Sequence, residues 1–195
     1  MVHTHPAHKS MFLAIELEPD VKQSLARILY LDLPKSQVRR QAQRDFHITL
    51  GFIRSVKWQD RSLVEQAFKP LERIPVLSLA VTGVVALGQF GQILCARFGP
   101  QEVIEDLSLE AGTLLTKHTE YQFDQSYAAY IPHTKIQTLK RNLPEALKTK
   151  ILETFRGLPY KKIHFKARSL ALMERKGRHY QTVKRYICNS SASIT

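Results

Sequence analysis

The stretches FHITL at residues 46–50 and PHTKI at residues 132–136 follow one pattern, and that pattern decides how the rest of the chain is interpreted. Each places a histidine in an apolar segment typical of a β-strand, followed two positions later by a polar side chain, Thr49 or Lys135. Side chains two residues apart lie on the same face of a strand. The sequence therefore predicts two similar strands that each present a histidine and a polar neighbour on one face.

The segments around these stretches predict a similar order of elements in each half of the chain. Apolar runs bounded by turn residues indicate strands at 11–17, 46–53, 76–85, 92–98 and 126–136, and a final hairpin with arms 163–173 and 180–188. Apolar residues at helical spacing indicate helices that open at Pro19 and Asp20 and that cover 60–71, 100–118 and 146–155. We therefore predict an α+β fold of two pseudo-symmetric lobes, each an antiparallel-rich sheet with helices on its outer face, enclosing a central cleft.

The length of 195 residues fits one domain. Residues 1–10 contain three histidines and no apolar run, which indicates a flexible lead-in and not a signal peptide, and residues 11–195 are predicted to form the single domain. Lysine and arginine interrupt the apolar stretches well short of the about 20 residues that cross a bilayer. Cys95 and Cys188 lie far apart in apolar runs, which is typical of free core thiols in a cytoplasmic protein, with a disulfide as the alternative.

The charge is strongly positive and unevenly distributed. Lysine and arginine number 29 against 17 aspartates and glutamates, a net charge of +12. The segment from Lys135 to Arg185 holds 15 of the basic residues and only 3 of the acidic ones. Such a segment attracts polyanions, although a solvated, solubilising surface has the same composition.

Two imidazoles in one cleft suit the cleavage of a phosphodiester. The reaction needs a base that activates a hydroxyl or water and an acid that protonates the leaving oxygen, and histidine can do either near neutral pH. Fixed donors must also meet the non-bridging oxygens, for which Thr49 and Lys135 are the candidates. The histidines and carboxylates show no metal-ligand spacing, so we expect no metal and no cofactor. One His-x-Thr alone occurs often by chance, and the hypothesis depends on the matching pair.

In these motifs the sequence resembles the two-histidine (2H) phosphoesterase superfamily, and within it the bacterial 2′–5′ RNA ligase and RNA 2′,3′-cyclic phosphodiesterase (LigT-like) family. The similarity covers nearly all of residues 11–188 through MFLAIEL at 11–17, FHITLGFI at 46–53, the strand pair at 77–97, YIPHTKI at 130–136 and the final hairpin from 170 to 180. It implies a metal-independent enzyme that hydrolyses RNA 2′,3′-cyclic phosphate ends to 2′-phosphates, and it leaves reverse 2′–5′ ligation open.

The resemblance also implies roles for individual residues. His47 would be the general acid and His133 the base, although the two can exchange roles according to the bond that is cut. Thr49 and Lys135 would hold the phosphate. Further candidates for base stacking or substrate contact are Phe90, Tyr130, Tyr180 and Arg97. His118, His164 and His179 are expected to have surface or structural roles.

Lys135 departs from the family pattern, which has Thr or Ser at this position. By strand alternation Thr134 points away from the site and should not replace it. Lys135 could hold phosphate as a point charge, alter specificity, or mark a protein that binds without turnover. The alternatives to the leading hypothesis are a phosphodiesterase for 2′–5′ oligonucleotides or cyclic nucleotides and a non-catalytic RNA-binding module. The expected partner is an RNA or oligonucleotide with a cyclic phosphate end, bound by a monomer with no membrane partner.

Overall fold

The computed structural model describes residues 8–124, 130–160, 163–177 and 179–189. Its strands are β1 (His8–Glu16), β2 (Val38–Arg40), β3 (His47–Lys57), β4 (Leu77–Leu87), β5 (Ile93–Gly99), β6 (His133–Leu139), β7 (His164–Ala167), β8 (Ser169–Lys176) and β9 (His179–Ile187). Its α-helices are α1 (Pro19–Leu29), α2 (Arg61–Ala67), α3 (Gln101–His118) and α4 (Glu145–Arg156). Single 3₁₀ turns lie at Gln43–Asp45, Trp58–Asp60 and Lys69–Arg73.

The strands form two antiparallel sheets, which define two lobes. The four-stranded lobe has the order β3-β1-β8-β9, and the five-stranded lobe has the order β2-β6-β5-β4-β7. The chain passes between the lobes repeatedly, so that each sheet contains strands from both ends of the sequence. The predicted α+β fold of two sheet-based lobes is confirmed.

Alternation along β1 gives the four-stranded lobe two distinct faces. Met11, Leu13 and Ile15 are at most 2% exposed and belong to the main core. Phe12 and Ala14 belong to a separate small apolar cluster on the opposite face. We call this opposite face the cleft face of the four-stranded lobe, because the candidate side chains of β3 share it.

The pairing of β3 with β1 places the first motif on that cleft face. Thr49 is the register partner of Ala14, and partners across antiparallel strands project to the same side. Ile48 and Leu50 project to the other side and are buried in the main core. Burial of these alternate apolar residues therefore fixes the register that leaves His47 and Thr49 on the cleft face.

The second motif lies on the corresponding face of the five-stranded lobe. His133 pairs with Arg97, and Lys135 pairs with Cys95, so these four side chains share one face of the sheet. Thr134, between them, is 3% exposed and projects to the other side. The face of His133 and Lys135 is the cleft face of the five-stranded lobe.

The helices cover the remaining surfaces of the sheets. Helix α1 begins with Pro19 in its first turn and buries Val21, Leu25 and Leu29, which lie four residues apart on one side. It packs against β6, while α3 packs against β3 and β5, α4 against β4, and α2 against α3. Among the described residues, no helix is long and apolar enough to cross a membrane.

The predicted hairpin arm at 163–173 is wrong as a single strand. It forms two strands that break at Arg168 and belong to different lobes: β7 pairs with β4, and β8 pairs with β1 and β9. Only β8 and β9 form the expected hairpin. Both pieces have the composition of a strand, and only their tertiary partners distinguish them.

Other boundaries differ by a few residues. Strand β1 begins at His8, three residues before the predicted start, because it pairs with Lys57 and Val56 at the far end of β3. Strand β6 begins at His133, later than predicted. The three-residue strand β2 was not predicted, since it is too short to show an alternating pattern. Residues 1–7 and 125–129, which include most of the predicted lead-in and the start of the predicted strand 126–136, lie outside the described residues.

Candidate active site

The two motif histidines are held in the same way. The ring Nδ1 of His47 lies 2.7 Å from the carbonyl oxygen of Asp45, and Nδ1 of His133 lies 2.7 Å from the carbonyl oxygen of Ile131. A carbonyl oxygen only accepts hydrogen bonds, so in both neutral rings Nδ1 carries the proton and Nε2 has the free lone pair. Each histidine is therefore oriented by the carbonyl two residues before it, with Nε2 left for proton transfer.

Direct contacts between the lobes bring the two motifs together. The backbone N–H of His47 donates to Oγ1 of Thr134 at 3.1 Å, and the Tyr130 hydroxyl donates to the Thr49 carbonyl at 2.7 Å. The His133 ring is near enough for its charge to act on His47. The two motifs therefore lie next to each other where the lobes meet.

Burial controls the ionisation of His47. Loss of hydration lowers its pKa from the ordinary 6.5 to about 4, and the positive charge of Lys22 acts in the same direction. The hydrogen bond from its ring to the Asp45 carbonyl opposes this shift without cancelling it. The imidazole of His47 is therefore neutral at pH 7 in the free protein.

The two predicted phosphate-holding residues lie one on each lobe. Thr49 is partly exposed on the cleft face of the four-stranded lobe, and Lys135 is partly exposed above the buried Cys95 on the other. Burial, together with the charges of Arg39 and Arg175, lowers the pKa of Lys135. Burial raises the pKa of the Cys95 thiol to about 12 although the charge of Lys135 opposes this shift, so this cysteine stays protonated and is no nucleophile.

Thr134 projects away from the cleft, in agreement with strand alternation. Its hydroxyl is instead used by the backbone of His47 in the facing lobe. The Thr hydroxyl of the second motif thus links the lobes, while Lys135 supplies the polar group on the cleft face.

Asp45 organises the site and was not identified from the sequence. Its carboxylate is 5% exposed and accepts hydrogen bonds from the Tyr180 backbone N–H at 3.3 Å and from Nδ1 of His179 at 3.1 Å. The guanidinium of Arg44, which can only donate, lies 2.5 Å from Nε2 of His179. Nε2 of His179 therefore accepts, and its Nδ1 proton points to Asp45. Both ring nitrogens of His179 thus form hydrogen bonds that hold the β8–β9 hairpin to Arg44 and Asp45.

Aromatic rings surround the imidazole of His47. Phe12 lies 4.9 Å from it between ring centroids, and Tyr180 meets it edge-on at 5.0 Å. Phe52, which is 40% exposed, packs on Phe12 at 5.4 Å. These rings desolvate His47 and give the cleft an apolar wall; of the three, only Tyr180 was a candidate from the sequence.

The remaining candidates lie at different distances from the centre. Arg97 is the register partner of His133 and donates a hydrogen bond to Gln101. Tyr130 packs against the main core, and its hydroxyl is engaged by Thr49, so it braces the two lobes. Phe90 is 56% exposed in the β4–β5 turn, away from the histidines along the sheet.

Within the described ranges, no three histidine, cysteine, aspartate or glutamate side chains are close enough together to hold a metal ion. A surface depression between α2, the following 3₁₀ turn and His118 contains none of the candidate residues. His118 is the last residue of α3, in agreement with its predicted surface role.

Comparison with known proteins relates the chain to others by fold. No protein-family model matches the sequence, and no curated protein matches it. Escherichia coli LigT complexed with 3′-AMP is 15% identical with a TM-score of 0.66, over 93% of this chain and 98% of that one. The protein TT0787 of Thermus thermophilus is 14% identical with a TM-score of 0.71, over 94% and 100%.

A third solved structure, described as a phosphoesterase, is 14% identical with a TM-score of 0.68, over 92% of this chain and 98% of that one. These alignments span nearly the whole of both chains, so the likeness concerns the complete two-lobed arrangement and not a shared motif. The chain has the fold of E. coli LigT and of these structural neighbours, as its two histidine motifs implied.

Proposed function

We propose that this protein hydrolyses RNA 2′,3′-cyclic phosphate ends to 2′-phosphates by paired histidine acid–base catalysis. The observation that carries the proposal is the matched pair of Nδ1–carbonyl hydrogen bonds, both 2.7 Å long, on the two facing lobes. Two histidines with purely structural roles would not require the same tautomer in the same setting. A reaction that removes one proton and donates another does require it, because both Nε2 atoms must be available for proton transfer.

The hydrolysis follows from the two free Nε2 atoms. One neutral imidazole takes a proton from water, and the resulting hydroxide attacks phosphorus. The bond between phosphorus and O3′ breaks, and the other imidazole, in its protonated form, gives its proton to O3′. The product has a 2′-phosphate and a 3′-hydroxyl, and solvent restores the two imidazoles to their starting states. If the 5′-hydroxyl of a second strand replaces water, it loses its proton to the base and attacks phosphorus, O3′ leaves with the proton of the acid, and the product is a 2′–5′ linkage.

The low pKa of His47 favours it as the base in the hydrolytic direction. This is the opposite of the role that the family resemblance implies, in which His47 is the acid. A group with a pKa of about 4 is already deprotonated at pH 7 and can accept a proton without losing one first. His133 would then be the acid.

The phosphate would lie between the lobes and receive donors from both. The Thr49 hydroxyl can donate to one non-bridging oxygen and the Lys135 ammonium to another, where negative charge grows in the transition state. Lys135 adds a full positive charge where the family has a hydroxyl, which strengthens anion binding in the ground state as well.

A nucleotide substrate is supported by fold and charge. LigT, which shares this fold, has been solved with 3′-AMP, phosphate, ATP and NADP⁺. The net charge of +12 favours a polyanion over a small neutral ester. We place the protein in the cytoplasm, where the free, buried Cys95 and Cys188 would stay reduced.

A non-catalytic RNA-binding module is the second candidate, and Lys135 is the observation that favours it. A fixed ammonium that holds the anion in every state gives affinity without selective stabilisation of the transition state. A phosphodiesterase for 2′–5′ oligonucleotides or cyclic nucleotides would use the same histidines and differ only in the substrate.

The test is hydrolysis of a cyclic-phosphate-terminated oligonucleotide in EDTA by the wild type and by His47→Ala, His133→Ala and His118→Ala. We expect chelator-insensitive turnover that falls by about 10²–10⁴-fold in each motif variant. His118→Ala, at the end of α3, is the matched control and should retain full activity.

Binding without turnover in the wild type would contradict the proposal and favour the RNA-binding module. A wild-type preference for a 2′–5′ linked dinucleotide would favour the other phosphodiesterase. The roles are tested with a substrate whose 3′-bridging oxygen is replaced by sulfur, because a thiolate leaves without a proton from the acid: with His47 as the base, His133→Ala should recover turnover on this substrate and His47→Ala should not.

A further inference from the structure

Three cations face the cleft beside the proposed catalytic centre. In the five-stranded lobe, a β-bulge between Lys135 and Gln137 shifts the alternation of β6 by one residue, so the side chain of Thr138 shares the cleft face with Lys135. Arg39 is the register partner of Thr138 and lies on this face. Arg40, the next residue of β2, turns to the opposite side and donates to the Leu31 carbonyl and to Asp32. Arg39 therefore extends the positive charge of Lys135 along the sheet, away from His133.

The third cation comes from the opposite lobe. Arg175 follows Ala171 and Met173 at two-residue steps along β8, on the same face as Phe12. It is also the register partner of Tyr180, whose ring contacts His47. The β8–β9 hairpin thus brings Arg175 to the side of the cleft that faces β6, and the charges of both Arg175 and Arg39 act on Lys135.

Among the described residues, carboxylates do not neutralise these charges directly. Within the described part of the chain, no carboxylate lies within 4.0 Å of a basic nitrogen of Lys135, Arg39 or Arg175. By contrast, arginines elsewhere form ion pairs: Arg40 with Asp32, Arg54 with Asp124, Arg61 with Glu65 and Arg185 with Glu16.

Asp45 is the acidic group whose charge reaches Lys135, but its oxygens are directed to His179, Tyr180 and Gln41. The two arginines and the partly buried lysine repel one another, and an anion between the three cations relieves that cost.

An exposed aromatic ring lies at the same end of the sheet. Ile93 pairs with Thr138, which pairs with Arg39, and Phe90 lies in the turn that leads into Ile93. Bases of a single strand stack on such rings while basic side chains hold the phosphates. The combination of cations and an exposed ring fits a nucleotide chain better than an isolated inorganic anion.

We infer that Arg39 and Arg175, on either side of Lys135, form a second phosphate subsite, which binds the backbone phosphate next to the scissile one in an oligonucleotide. The inference rests on the proposed function and narrows it: the enzyme prefers cyclic-phosphate ends of RNA chains over 2′,3′-cyclic mononucleotides. The nucleotide that precedes the cyclic end lies toward β2 and the Phe90 turn.

The experiment compares two substrates. A 2′,3′-cyclic mononucleotide has only the scissile phosphate, whereas a trinucleotide with the same cyclic end has two more. Arg39→Gln and Arg175→Gln should each lower kcat/KM for the trinucleotide about tenfold, the worth of one charge-assisted phosphate contact. Each should change kcat/KM for the mononucleotide less than about twofold, because Arg39 and Arg175 contact no part of it.

Adjacent residues on the opposite faces of the same strands supply matched controls. Arg40→Gln and Lys176→Gln remove the same charge beside Arg39 and Arg175 and should leave the preference for the trinucleotide unchanged. The slope of log KM against log salt for the trinucleotide should fall by about 0.7 in each subsite variant and stay constant in the controls.

Equal losses on both substrates, or no loss on the trinucleotide, would overturn the subsite. If the wild type cleaves neither substrate, the proposed function fails, and the subsite is then decided by binding of a fluorescent trinucleotide. Weaker binding of the trinucleotide by Arg39→Gln and Arg175→Gln, but not by the controls, would still support the subsite. Unchanged affinity of both arginine variants would contradict it.

Discussion

The imidazole of His47 is neutral because its environment is apolar, and this links the stability of the protein to pH. Phe12 and Tyr180 pack against the ring, and burial lowers its pKa from 6.5 to about 4. Between these two values the unfolded chain binds a proton at this position and the folded protein does not. The free energy of unfolding therefore falls as the pH is lowered through that window.

This linkage predicts the behaviour of His47→Asn. Acidification from pH 7 to 4 should cost the wild type about 3 kcal/mol more stability than it costs the variant, which has no titrating group at this position. Urea unfolding of both proteins at several pH values measures the difference, and titration of all other groups cancels in the comparison. Parallel pH dependences would show that His47 titrates normally in the folded state.

At the scale of elements, the β8–β9 hairpin is fastened to the segment that orients His47. Asp45 contributes its backbone carbonyl to the His47 ring and its carboxylate to His179 and the Tyr180 N–H. One residue therefore sets the position of the imidazole and of the hairpin that covers it. Asp45 is a positioning residue, because its carboxylate acts through these neighbours.

Asp45→Ala should separate the hairpin from the site. Loss of the buried acceptor should cost about 1–3 kcal/mol of stability and lower kcat more than it raises KM, since the proposed phosphate donors remain in place. Asp45→Asn keeps one acceptor oxygen for the Tyr180 N–H and should restore part of kcat. Equal kcat values for the Ala and Asn variants, at equal folded fractions, would show that the carboxylate does not position His47.

At the scale of the whole molecule, the two lobes are joined across the cleft by hydrogen bonds beside the candidate residues. The buried Thr134 hydroxyl accepts the His47 N–H, and Tyr130 donates to the Thr49 carbonyl. Because these bonds involve the backbone of the first motif, the spacing of the two imidazoles depends on the contact between the lobes.

Thr134→Val removes the acceptor with little change in side-chain volume. The unpaired His47 N–H should lower stability by about 1–3 kcal/mol, and the freed strand should reduce kcat. Thr134→Ser retains the hydroxyl and is the matched control. Urea unfolding and turnover of the two variants compare them directly, and a Val variant as stable and active as the Ser variant would exclude this link.

The sequence by itself determined most of the elements and the faces on which the polar residues of the two motifs lie. Alternating burial in FHITL and the histidine repeated in PHTKI were sufficient to place His47 with Thr49, and His133 with Lys135, on one face of each strand. Strand periodicity is a local property, and the burial of Ile48 and Leu50 fixes it wherever the strand pairs.

Only the tertiary structure decided which strands pair and which groups orient the histidines. The segment 163–173 is divided between two sheets by its partners β4 and β1, which no local pattern specifies. The carbonyls that hold the imidazoles belong to Asp45 and Ile131 but could belong to any residue, so they leave no trace in the sequence. Arg39 and Arg175 are far apart along the chain. They share one cleft because hydrogen bonds between strands join segments that are distant in the sequence.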